Sequence, residues 1–122
     1  MVTSVACACQ IEAWVREAAE AFNAPLAAIN AEVHDGVLPP RQSFLSASPE
    51  NAMVTVLKQA EDGEDLIVRC VETHGQDVEA TIRIPHISAM WSFPLGHAEI
   101  KSFRVGRDGS VHEIDLLEDD IR

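Results

Sequence analysis

Met53-Val54-Thr55-Val56-Leu57-Lys58, Glu61-Asp62-Gly63-Glu64 and Leu66-Ile67-Val68-Arg69-Cys70-Val71 follow one another along the chain, and this run decides the fold. The first six residues are rich in β-branched and large apolar side chains, which suit a pleated, half-buried surface. The acidic tetrapeptide with its glycine is a turn signal. Beyond it, Leu66, Val68 and Cys70 alternate with Ile67, Arg69 and Val71, the period of two that puts successive side chains on opposite faces of a strand. The spacing predicts a second strand that pairs back on the first.

Working outward, Thr73-His74-Gly75-Gln76 turns the chain into Val78, Ala80, Ile82 and Ile84, which alternate with Glu79, Thr81 and Arg83. That is a third strand with one dry and one wet face. Pro85 and Pro94 bracket a less regular stretch containing Trp91 and Phe93, and residues 97–105 and 111–117 flank Arg107-Asp108-Gly109-Ser110. Asp-Gly between two apolar runs predicts a hairpin with positive φ at its central residues. Strands at intervals of roughly ten residues joined by polar turns point to a sandwich or barrel rather than a parallel sheet with helices, and the fold expected is an all-β, antiparallel β-sandwich. Alternation turns Val54, Val56, Leu66, Val68, Val78, Ile82 and Ile114 inward.

Upstream, Ile11, Trp14, Val15, Ala18, Ala19 and Phe22 fall at the i, i+3, i+4, i+7 spacing of one helix face. Pro25 restricts the residue before it, so the helix ends near Asn23-Ala24. The organisation expected is a helical lead-in over residues 1–24 and a sandwich domain over residues 25–122.

The chain has 122 residues, enough for one sizeable core. Its 9 Lys+Arg against 20 Asp+Glu give a formal net charge of −11, which repels phosphate backbones and anionic membrane surfaces and excludes both as partners. No apolar run approaches the about 20 residues that cross a bilayer, and the opening residues lack a basic region before their short apolar stretch. Cys7, Cys9 and Cys70 are an odd number, so they predict reduced thiols rather than a disulfide framework, and a cytoplasmic location.

Each candidate for chemistry meets a plainer reading. Cys7-Ala8-Cys9 is short of the four ligands of a structural zinc site, and His34, His74, His86, His97 and His112 show no metal-binding spacing. On a strand His97 and Glu99 would share a face, yet two ligands do not close a site. Glu113, Asp115, Glu118, Asp119 and Asp120 read as a solvated run, and no phosphate loop or strained serine elbow occurs. Trp14 and Trp91 suit core or interface packing better than a sugar platform, because the chain has no tyrosine and four phenylalanines. No catalytic, cofactor-binding or metal residue is assigned. Two stretches stay apolar without a place in the strand pattern, the helix face of residues 11–22 and Met90-Trp91-Ser92-Phe93-Pro94-Leu95, and they predict association between copies.

Residues 43–63, running Ser48-Pro49-Glu50-Asn51-Ala52 into the valine-rich strand and then Leu57-Lys58-Gln59-Ala60-Glu61-Asp62, resemble the segment that opens the distal β-sandwich of glycoside hydrolase family 38. Leu66-Ile67-Val68-Arg69, Glu72-Thr73 and Gly75 continue the likeness. So do Glu99-Ile100-Lys101-Ser102-Phe103-Arg104-Val105, Asp115-Leu116-Leu117-Glu118 and, upstream, Ala21-Phe22-Asn23-Ala24-Pro25-Leu26. The resemblance covers roughly residues 18–118. It implies a sandwich of immunoglobulin-like or galactose-mutarotase-like type and a non-catalytic, C-terminal place in an α-mannosidase. In such enzymes the carboxylate nucleophile and the zinc ligands belong to an N-terminal catalytic barrel. None of those motifs occurs here, so no catalytic or zinc residue is carried over. The alternative is an independent carbohydrate-binding or protein-interaction module on the same fold.

Overall fold

A computed structural model describes residues 15–121, so Ile11, Trp14, Cys7 and Cys9 lie outside the described residues. The chain divides into two units, residues 1–38 and 39–122. In the first, α1 spans Val15–Asn23 and is followed by a segment without regular structure. The helix closes with Ala24 N donating to Glu20 O at 2.8 Å. Pro25 then offers no N–H to continue the ladder.

The second unit is the expected sandwich. Its strands are β1 (Ser46–Ser48), β2 (Ala52–Gln59), β3 (Leu66–Glu72), β4 (Val78–Ile84), β5 (Ala89–Leu95), β6 (Ile100–Val105) and β7 (Val111–Ile114). One sheet has the order β1-β4-β5 and the other β2-β3-β6-β7, with every pairing antiparallel. The core between them takes Val68, Cys70, Phe103 and Val105 from the larger sheet and Ala80, Ile82, Ile84, Phe93 and Leu95 from the smaller. Phe103 packs against Phe93 with the rings tilted, centroids 4.4 Å apart, and meets Trp91 edge-on at 5.6 Å. Burying each large side chain contributes about 1.5–3 kcal/mol, so this cluster is the main source of stability.

The structure corrects the sequence reading in four places. The stretch 89–95 is a regular strand: Ala89, Phe93 and Leu95 are buried and Trp91 half-buried, while Met90, Ser92 and Pro94 point out. Consecutive large apolar residues there are shared between core and surface, so they do not form the sticky patch expected of them. A β-bulge between Val54 and Val56 pairs Val54 with Cys70 but Val56 with Arg69, which moves Val56 to the outer face of its sheet. Ile114 is buried, yet it packs with Ala60 and Ile67 in a second cluster on that outer face rather than between the sheets. In the last hairpin only Gly109 has positive φ, at 84°, because Gly109 N bonds Gly106 O and Gly106 N bonds Ser110 O in a turn longer than two residues. Val68 and Ile82 are buried as expected, and Val54, Leu66 and Val78 pack half-buried against the same core.

Candidate functional site

Polar groups converge at the end of the sandwich where β3 runs out. Leu66, Val68, Cys70 and Glu72 share one strand parity, so the pleat that turns the first three toward the core also carries the Glu72 carboxylate inward, leaving it 2% exposed. A buried carboxylate is tolerated only when it is fully hydrogen-bonded. Oε1 accepts from Asn51 Nδ2 at 2.9 Å and His74 N at 2.7 Å, and Oε2 accepts from Gly75 N at 2.7 Å and Ala98 N at 3.0 Å. Burial pushes its pKa up, but the hydrogen bonds from Ala98, His74, Asn51 and Gly75 outweigh that and hold it at about 2.

The four bonds tie together three separate pieces of chain: the lead into β2, the loop after β3 and the loop before β6. Glu72 N also donates to Glu99 O, and Thr73 donates to Asn51 O through both its N and its hydroxyl. Gly75 has φ 72°, and a Cβ there would lie 3.0 Å from His97 Cε1. The position therefore needs glycine both for its backbone and for the imidazole beside it. Asp77 Oδ1 accepts from His97 N at 2.8 Å, and Glu99 Oε2 accepts from Gly96 N at 2.6 Å.

The pair singled out in the sequence, His97 and Glu99, lies in the turn before β6 and not on a strand, with Ala98 between them at φ 52°. The turn faces them differently from the period-two arrangement. Among the described residues no three His, Cys, Asp or Glu gather as metal ligands would. His74 joins the Glu72 loop through its backbone, while His86 sits edge-on to Phe44 at 5.1 Å. His34 faces the carbonyl of Asp35, and His112 lies opposite Arg104 in the last hairpin. Cys70 is buried in the core, and burial pushes its thiol up to about 11, which makes it inert. Trp91 packs in the core, as its reading as a packing residue required, with its Nε1 buried and unpaired.

A cleft of about 560 Å³ opens beside this end, lined by Asp77, Glu79, Pro94, Leu95, Glu99 and Lys101. Two of its three carboxylates already hold backbone N–H groups, and Lys101 Nζ is 2.9 Å from Glu113. At the other end a cleft of about 300 Å³ has a floor of Leu66, Ile87 and Val105 and an Arg107–Glu64 pair, 3.2 Å, at its mouth. Acid–base catalysis needs a carboxyl free to exchange its proton near neutral pH. Glu72 is the opposite, with both lone pairs of each oxygen used and its charge locked on. The arrangement is a clamp that fixes loops.

Of the C-terminal acids, Glu113, Asp115, Asp119 and Asp120 are exposed, as the solvated reading expects, while Glu118 is not, and two of the run also hold structure. Asp115 Oδ1 accepts from Leu117 N at 2.7 Å and Asp119 N at 3.0 Å, and Glu118, its side chain 11% exposed, pairs with Lys58 at 2.5 Å and accepts from Glu61 N. Sequence reasoning passed over Glu72 as a site residue, although its inward parity was the available signal.

Residues 51–122, 72 of the 122, match the family model described as glycosyl hydrolases family 38 C-terminal beta sandwich domain. No curated protein and no solved structure matches.

Proposed function

The chain belongs to the glycosyl hydrolase family 38 C-terminal β-sandwich domains, and on that premise we propose that it is the non-catalytic distal domain of an α-mannosidase, acting in the cytoplasm and docking to a zinc-dependent catalytic barrel. The family match across β2 to β7 is the observation that carries this reading. The Glu72 clamp supports it, because loops held rigid by a buried charge lose little entropy when a second domain packs on them. Zinc does not fit the described residues, whose His, Cys, Asp and Glu do not gather in threes. In this reading the metal and the nucleophile sit on the barrel, and the sandwich supplies support.

The test mixes the 122-residue chain with the catalytic barrel of a family 38 α-mannosidase from which the distal sandwich has been removed. Co-elution, a raised melting temperature of the barrel and recovered turnover of an aryl α-mannoside are expected. Two folded proteins that ignore each other, with the chain instead retaining mannose-containing glycans by itself, would replace this reading with that of an independent binding module.

A further inference from the structure

Residues 22–38 carry an apolar pattern of their own. Phe22, Leu26, Ile29, Val33 and Val37 are 87–105% exposed. Single exposed apolar residues are ordinary, but these five recur every three or four positions. The three of them between Pro25 and Gly36, Leu26, Ile29 and Val33, fall within an arc of about 60° on a helix at 100° per residue. The end signals agree: Pro25 suits a first helical position, Gly36 a C-terminal stop, and Pro39-Pro40 follows. Between them Ala27, Ala28, Ala31 and Glu32 are good helix formers. Yet the structure shows no helix from residue 24 to residue 40. Length explains the conflict, since an isolated helix shorter than about 12–15 residues is marginal in water and draws its stability from what its apolar face packs against.

We infer that residues 25–35 are a recognition segment that folds into a helix in an apolar groove, rimmed by lysine and arginine, on the catalytic domain. This rests on the reading of the chain as a mannosidase domain. Charge selects the occupant. Glu20, Glu32 and Asp35 flank the stripe, and no lysine or arginine occurs from residue 17 to residue 40. A second copy would bring another net charge of −11 against the first, and an anionic bilayer would repel the segment in the same way. A cationic rim around an apolar floor complements both features. Strand addition does not, because the apolar spacing is three and four rather than two.

Binding of the full chain to the separately purified catalytic domain, followed by anisotropy and by far-ultraviolet circular dichroism, tests this. The unaltered chain gains helix on binding, and added salt weakens the complex. Replacing the stripe (Leu26→Asp, Ile29→Asp, Val33→Asp) and breaking the helix on its opposite side (Ala28→Pro) each weaken binding by about a hundredfold, whereas Ala31→Gln, also opposite the stripe, leaves it unchanged. All these side chains are exposed, so the sandwich stays folded in every variant. Equal affinity of all variants would overturn the inference while leaving the domain assignment standing. Failure of the unaltered chain to bind would remove both. Self-association abolished by the stripe variant, or helix gained on lipid vesicles instead of on the catalytic domain, would assign the segment elsewhere.

Discussion

Glu72 shows how much one side chain can decide. Its carboxylate accepts four hydrogen bonds from three stretches of chain, and replacing it by glutamine puts an amide NH₂ among donors. Glu72→Gln is expected to cost on the order of 3 kcal/mol, which lowers the melting temperature of a domain this size by roughly 10–20 °C. The same group sets an acid limb. Its folded pKa of about 2 lies below the unfolded value of about 4.3, so its contribution is complete above the unfolded value and is lost as the pH falls toward 2. Asp108, held down by Ser110, and Glu118, held down by Lys58, act in the same direction. Melting temperatures measured from pH 7 to pH 2 should therefore fall more gently in Glu72→Gln than in the unaltered chain. Parallel curves would show that the charge does not matter. Glu72 was legible in principle, since a charged residue on a dry strand face demands partners. Those partners, the amides of His74, Gly75 and Ala98, come from backbone geometry that no side-chain pattern announces.

At the scale of elements, alternation told most where a strand has one wet face. It placed β3 and β4 correctly and turned Val68 and Ile82 inward. It failed in β5 because Trp91, Phe93, Pro94 and Leu95 crowd together in sequence, which hides the period of two that the strand obeys. A bulge is equally silent in the sequence, and one extra residue sent Val56 to the outer face. β1, at three residues, is too short to leave a pattern. The largest omission was the outer face of the four-stranded sheet, where alternation predicts water and the structure has Ile67 at 0% exposure. The turn after β7 accounts for it: Asp120 pairs back on Ile114, Arg69 reaches the carbonyl of Leu116, and Glu118 latches onto Lys58. Ile67→Ala is expected to cost about 3 kcal/mol, as much as a residue between the sheets. In Glu118→Ala, hydrogen exchange at Glu61 and Asp119 should speed up while that of Val68 and Ile82 stays slow. An unchanged denaturation midpoint for Ile67→Ala would mean that the outer cluster is not a core.

Across the described residues acids outnumber bases, and the structure gives ten of the acids structural work. A retaining glycosidase needs two carboxyl groups about 5–5.5 Å apart, one ionised and one holding a proton for the leaving oxygen. Here Glu72, Asp77, Glu99, Asp108, Asp115 and Glu118 each accept from a backbone N–H, which fixes turns. Glu61, Asp62, Glu64 and Glu113 face Lys58, Arg104, Arg107 and Lys101. Glu72, Asp108 and Glu118, whose hydrogen bonds lower their pKa values, are poor proton donors at neutral pH, and a carboxylate engaged with the backbone cannot approach a sugar carbon. The purified chain should accordingly turn over an aryl α-mannoside no faster than a blank and should carry no stoichiometric zinc after dialysis, while the same preparation still joins the catalytic barrel. Turnover that survives repurification and disappears in variants of the chain's own carboxylates would place chemistry on this domain and overturn its assignment as a support.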